Sequence, residues 1–99
     1  MYIYKYKIPV QDEFEIDLPV NSSVLCVQTQ YSEPVNGFYP TDIPYIWVLI
    51  DEEVYSQLKP RKFFIVGTGS EFKDQYAKYI GTFQQLNGRL VWHLFERIE

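Results

Sequence analysis

Apolar and polar positions alternate with a period of two along several stretches of this chain, the pattern of strands that bury one face. In YIYKYKI (2–8) the alternation sets Tyr2, Tyr4, Tyr6 and Ile8 against Ile3, Lys5 and Lys7, and Pro9 stops it. In EFEIDLP (13–19) Phe14, Ile16 and Leu18 face inward and Glu13, Glu15 and Asp17 outward, until Pro19. SVLCVQTQY (23–31) is continuously apolar from Val24 to Val27 and then polar, as a central strand is when it leaves a core. YIWVLID (45–51) and RKFFIVGTG (61–69), dense in β-branched and aromatic residues, predict two further buried strands. Between them EEVYSQLKP (52–60) has room for one helical turn. SEFKDQYAKY (70–79) predicts a helix of about two turns, with Ser70 as N-cap and Phe72, Tyr76 and Tyr79 near helical spacing. The stretch SEPVNGFYPTDIP (32–44) carries Pro34, Pro40, Pro44 and an Asn-Gly pair, so it predicts a long loop or a short hairpin and a candidate functional element.

The strongest local signal is Asn87-Gly88 between YIGTFQQL and RLVWHLFE. A two-residue type I′ turn needs φ > 0 at both central positions, which Asn-Gly supplies. With Leu86 opposite Arg89, the register pairs Gln85 with Leu90, Gln84 with Val91, Phe83 with Trp92, Thr82 with His93, Gly81 with Leu94 and Ile80 with Phe95. One face then carries Phe83, Leu90, Trp92 and Leu94, and the other Ile80, Thr82, Val91, His93 and Phe95. Both are largely apolar, which places this hairpin in the middle of the fold or at a subunit contact. Gly81 leaves room there for a large neighbour. The expected fold is all-β, or β-rich with one short helix. It is a single domain over 1–99, an antiparallel sandwich or partly open barrel of six to seven strands.

Composition narrows the function. Aromatic residues make up 18% of the chain, which suits interfaces as well as strands. A formal net charge of -4 argues against neutralising the phosphates of duplex nucleic acid, and leaves KPRK (59–62) as the one dense basic patch, expected as a solvated turn between strands. Cys26 is the only cysteine, so no internal disulfide forms, and its apolar context predicts a buried, inert thiol. No run is long enough to span a membrane, and the N-terminus lacks a signal-peptide pattern. The expected location is cytoplasmic.

The segments IYKY, VLCVQTQ, WVLID, FFIVGTG and YIGTFQQLNGRLVWHLFE together resemble a family of short phage and prophage proteins. The resemblance covers most of the chain and implies a compact β-rich fold and a phage origin, hence the host cytoplasm. It carries over no catalytic residue. It also implies the company of small phage proteins that act by binding, including those that counter a host defence.

Candidate chemistry is sparse. VGTGS (66–70) ends a strand in Gly-x-Gly-Ser, whose backbone N–H groups suit an anion, although it lacks the Lys-Ser/Thr of a phosphate loop and such a Gly-x-Gly is more often a bulge or tight turn. His93 reads as a ring packed on an apolar strand, one nitrogen bonded to a hydroxyl or carbonyl; the alternative is a ligand contact. Metal binding lacks a second His or a Cys pair. No nucleophile elbow or zinc-protease motif occurs, and the carboxylates alternate outward, so no enzymatic activity and no cofactor are expected. The expected function is sequestration of a small nucleotide-type signal of host immunity. Gly67, Thr68, Gly69, Ser70, Arg61 and Lys62 would hold phosphate, Trp47 or Tyr45 would hold the base, and His93 would be a further contact. The alternatives are an inhibitor of a host defence protein using Phe38 and Tyr39, and a structural or accessory phage module. Tyr2, Tyr4 and Tyr6, with the two apolar hairpin faces, predict a homo-oligomer.

Overall fold

The alternating stretches become strands because each presents one apolar row to a shared core. In the computed structural model, which describes residues 1–30 and 42–98, these are β1 (Tyr2–Lys7), β2 (Glu13–Pro19), β3 (Ser23–Gln30), β4 (Ile43–Ile50), β5 (Leu58–Gly67), β6 (Ala77–Gln85) and β7 (Leu90–Arg97). They form two antiparallel sheets, β1-β4-β3 and β2-β5-β7-β6. The sheets are packed as a sandwich and do not close into a barrel. The expected loop over 32–44 and the aromatic residues Tyr31, Phe38 and Tyr39 fall largely outside the described residues; Ile43 and Pro44 begin β4.

The core lies between the sheets. Ile46, Val48 and Ile50 of β4 and Val27 of β3 meet Phe14 and Leu18 of β2, Phe63 and Ile65 of β5, Phe83 of β6 and Leu94 of β7. Phe14 stacks on Phe63 with ring centroids 5.4 Å apart. Glu13, Glu15 and Asp17 point outward, as the alternation of β2 predicts. Tyr2, Tyr4 and Tyr6 do share the inward face of β1, opposite Ile50, Val48 and Ile46, but Tyr2 and Tyr4 overhang the core and stay exposed.

Four expectations are corrected. First, residues 70–79 form no helix. Phe72 instead docks over Phe95 with centroids 4.5 Å apart, and Asp74 Oδ1 accepts from the Tyr76 N–H, so tertiary contact and a local turn outcompete helical propensity. The chain does make one turn of 3₁₀ helix at Glu52–Val54, where the Asp51 carboxylate accepts from the Glu53 N–H. Second, KPRK is no turn; it belongs to β5, paired along its length with β2. Third, β3 is an edge strand rather than a central one. A bulge between Val24 and Cys26 leaves Leu25 exposed and Cys26 only half-buried. Fourth, the hairpin register holds from Gln85↔Leu90 to Gly81↔Leu94 and then shifts by one, so Tyr79 rather than Ile80 faces Phe95.

At the hairpin tip Asn87 and Gly88 take φ of 55° and 83°, as a type I′ turn requires, and the Arg89 N–H donates to the Leu86 carbonyl at 3.1 Å. Leu86 also has positive φ, 53°. Gly81 marks a close approach of the two sheets: a β-carbon there would stand 2.9 Å from Cγ1 of the buried Val27. The large neighbour for which the sequence left room is thus a β3 side chain, and β3 and β6 shelter each other along this seam.

Candidate functional site

The residues expected to form one pocket are dispersed. Gly67, Thr68, Gly69 and Ser70 make a tight turn closed by the Ser70 N–H on the Gly67 carbonyl at 3.0 Å, with Gly69 at φ 87°. Gly67 is a glycine because Trp92 lies across it, 3.3 Å from the place of a β-carbon. Two hollows flank the turn: one holds the carboxylates Asp12 and Glu71 with Phe72 and Trp92, the other holds Arg89 with Leu90, Val91 and Trp92. Arg61 sits six positions earlier on the same strand, about 20 Å away at strand rise. Tyr45 and Trp47 project from the outward face of the other sheet, where Lys5 caps the Tyr45 ring at 4.4 Å.

His93 lies on the outward face of the four-stranded sheet with both ring nitrogens engaged: Nδ1 with Thr82 Oγ1 at 2.9 Å and Nε2 with Thr68 Oγ1 at 2.8 Å. Tyr79 Oη meets Thr82 Oγ1 at 2.6 Å, and Thr68 Oγ1 also reaches the Val91 carbonyl at 3.5 Å. One proton arrangement satisfies every member. Tyr79 donates to Thr82, Thr82 donates to Nδ1, the protonated Nε2 donates to Thr68, and Thr68 donates to the carbonyl. This chain ties the turn at 67–70 to β7 and β6.

The site that does assemble is elsewhere. β5 and β7 pair only from Phe63↔Glu96 to Gly67↔Trp92. Beyond that point β5 stays with β2 as far as Leu58↔Pro19, while β7 stays with β6 through Ala77↔Arg97 and the Ile98 N–H on the Tyr76 carbonyl at 2.7 Å. The sheet therefore forks, and the gap between its arms is a cleft of about 250 Å³. One arm contributes Lys59, Pro60, Arg61 and Lys62, the other Lys78, Glu96, Arg97 and Ile98. Five of the chain's nine Lys and Arg residues thus line one cleft of a protein whose net charge is -4.

Arg61 builds this cleft rather than reaching into it. Its Nε and Nη2 bind the Glu96 carboxylate in a bidentate pair, and its Nη1 donates to Ser22 O and Oγ at 2.9 and 3.0 Å. Glu96 and Ser22 are both buried, so the pair clasps the base of the fork to the turn that carries the chain from β2 to β3. Lys62 pairs with Glu13, and Arg97 with Asp74 at 2.8 Å. That Arg97 hydrogen bond, with the Tyr76 N–H, holds the Asp74 carboxyl below the usual carboxylate range. Next to the basic arm, Lys62 and Arg97 lie over the Phe64 ring at 5.8 and 5.4 Å, and Phe72 and Phe95 continue the aromatic surface. The arrangement can attract an anion. Of the expected contacts it includes Arg61 and Lys62. Sequence reasoning missed Lys59 as a cleft residue, along with Lys78 and Arg97, which join only through strand pairing.

A second polar feature lies at the start of β5, next to Lys59 and Pro60. Tyr6 and Tyr55 line a hollow with Asp17, Pro19 and Leu58, and Tyr4 packs on Tyr55 with centroids 5.9 Å apart. Burial, then the neighbouring Tyr55 and Tyr4, raise the Tyr6 phenol above its ordinary value. Among the described residues, no group of three His, Cys, Asp or Glu side chains is placed to hold a metal, and no helix is long and apolar enough to cross a membrane. No curated protein and no solved structure matches the chain. A family model described as a domain of unknown function, DUF7352, matches residues 1–99, and the chain belongs to that family.

Proposed function

We propose that this chain is a non-enzymatic binding protein whose forked, cation-lined cleft takes up a small phosphate-bearing ligand of nucleotide type. The observation that carries the reading is the gathering of Lys59, Lys62, Lys78 and Arg97 around one gap, braced by the Arg61 and Glu96 pair, in an acidic protein. A cleft of about 250 Å³ suits a phosphate group and part of its carrier, not a duplex. The Tyr45 and Trp47 expected from sequence to hold a base lie on the other sheet, outside this cleft. Together with the resemblance to phage proteins, the cleft supports a role in withholding a nucleotide signal from host immunity.

Isothermal titration of the full chain with a nucleoside triphosphate, a cyclic dinucleotide and inorganic pyrophosphate tests the reading. Binding should weaken with added salt and with Lys78→Glu, and a ligand at about a hundredfold its dissociation constant should stabilise the fold by about 2.7 kcal/mol. Thr68→Ala, in the turn at 67–70, should leave binding unchanged. Heat and thermal shift that are silent for all three ligands at low salt would sink the proposal.

A further inference from the structure

Three cations of the cleft are held by carboxylates of the chain itself: Arg61 by Glu96, Lys62 by Glu13 and Arg97 by Asp74. The three pairs are built differently. Glu96 grips Arg61 with both oxygens, is buried in β7 and belongs to the clasp that reaches Ser22. Glu13 is fixed in β2, whose register with β5 runs past Lys62. Of the three, Asp74 alone lies outside the strands, in the segment 68–76 that carries the chain from β5 to β6. That segment is fastened at three points. Thr68 Oγ1 meets His93 Nε2 at 2.8 Å, Phe72 rests on Phe64 and Phe95, and Asp74 Oδ2 accepts from Arg97 Nη2 at 2.8 Å. The first two are indifferent to an anion. The third is an ion pair whose guanidinium is 42% exposed, and water and mobile ions weaken such a pair. Asp74 Oδ1 accepts from the Tyr76 N–H at 2.9 Å, which aims the other oxygen at Arg97. The Arg97 hydrogen bond, the Tyr76 N–H and the Lys62 charge hold this carboxyl below its ordinary range. The chain thus already keeps one negative charge beside two cleft cations, where a phosphate-bearing ligand would bring its own.

We infer that Asp74 is a tethered counter-anion: it competes with the ligand for Arg97, and filling the cleft releases its carboxylate from the guanidinium. This rests on the reading of the cleft as a site for a phosphate-bearing ligand. A carboxylate tied to the chain acts at a high effective concentration, so an anion of single charge does not displace it. A diphosphate or triphosphate group spreads several charges over Lys59, Lys62, Lys78 and Arg97 and does. The pair therefore selects polyphosphate over monoanions. Phe72 and Thr68 keep the segment docked when Asp74 lets go.

Isothermal titration with inorganic pyrophosphate tests this on the full chain, Asp74→Asn and Glu71→Gln, with circular dichroism to verify each fold. Asparagine keeps an acceptor for the Tyr76 N–H and removes only the charge, so Asp74→Asn should bind pyrophosphate about tenfold more tightly. Glu71 lies in the same segment but pairs with Lys73 at 3.7 Å, outside the cleft, so Glu71→Gln should change binding by less than about twofold. The gain from Asp74→Asn should shrink when Arg97 is replaced by Gln. In the unaltered chain, the Tyr76 amide resonance should move on saturation with pyrophosphate, because its acceptor is the carboxylate that lets go. No gain in Asp74→Asn, an equal gain in Glu71→Gln, or a Tyr76 resonance unmoved at saturation would overturn the inference while leaving the cleft reading in place. Absence of binding by all three proteins would remove both.

Discussion

Gly81→Ala combined with Val27→Ala tests the claim that the two sheets are locked where β6 meets β3. The backbone at Gly81 is not in the left-handed region, so an added β-carbon has no conformational penalty and should stabilise by about 0.5–1 kcal/mol through the unfolded chain. Against this stands the contact: the new carbon would sit 2.9 Å from Val27 Cγ1, closer than real β-carbons come. Val27 is 4% exposed and is packed against the core, so relief requires a shift in one sheet, at a cost of about 1–3 kcal/mol. Gly81→Ala alone should therefore destabilise by about 0–2.5 kcal/mol. Val27→Ala alone should cost about 1–2.5 kcal/mol for a buried side chain cut short. In the double variant the truncated side chain leaves room, so the methyl group added at position 81 becomes neutral or favourable and the coupling is about 1–3 kcal/mol. Urea unfolding of the four proteins at equilibrium, with a shared slope, gives the cycle. Additive effects, or Gly81→Ala as stabilising as an unhindered strand substitution, would refute the close approach of β3 and β6.

Glu96→Ala leaves the half-buried Arg61 guanidinium without its bidentate partner and should cost about 3 kcal/mol by urea unfolding, whereas the joint replacement Arg61→Met with Glu96→Leu should cost less. Leu86→Asn relieves a branched side chain at φ 53° with little burial lost, and should raise stability by about 0.5–1 kcal/mol and the melting temperature with it. Asp74 is held below its ordinary value of 3.8 in the folded chain, so its contribution is complete above that pH and is lost as pH falls through the lower, folded value. Asp74→Asn should accordingly flatten the acid limb of the stability profile below about pH 4, seen by thermal melts from pH 2 to pH 7.

Most of the fold was legible because it rests on period-two alternation, which survives in a single sequence. β2, with three apolar and three acidic positions in strict turn, kept its predicted faces, and Asn87-Gly88 placed five of its cross-strand pairs correctly. What stayed hidden depends on partners that alternation does not name. Helical spacing of Phe72, Tyr76 and Tyr79 could not reveal that Phe72 would be drawn onto Phe95 and Phe64. Continuous apolar residues in β3 suggested a central strand, but their bulge marks an edge that bends toward β6. The candidate site was half visible: KPRK stood out as a basic cluster, while the length over which β5 follows β2 instead of β7 decided that it would border a cleft.

The bulge at Ile80 connects these failures, and a conflict in the simple register points to it. Extended without interruption from the Asn87-Gly88 turn, the hairpin sets Lys78 opposite Arg97, a like-charge pair that opposes the register. Shifting by one residue after Gly81 places Lys78 opposite Glu96 and Ala77 opposite Arg97. It also carries Tyr79 to the outward face, where its hydroxyl joins Thr82 and His93, and frees Ile80 to pack against the core. Lys78 thereby reaches the side of the strand that borders the fork, beside the Arg61 and Glu96 clasp. The same one-residue insertion that resolves the charge conflict thus joins the β6–β7 arm to the basic β5 arm. Deleting Ile80 should for that reason disturb ligand binding as well as stability, whereas Ile80→Val, which preserves the bulge, should touch stability alone.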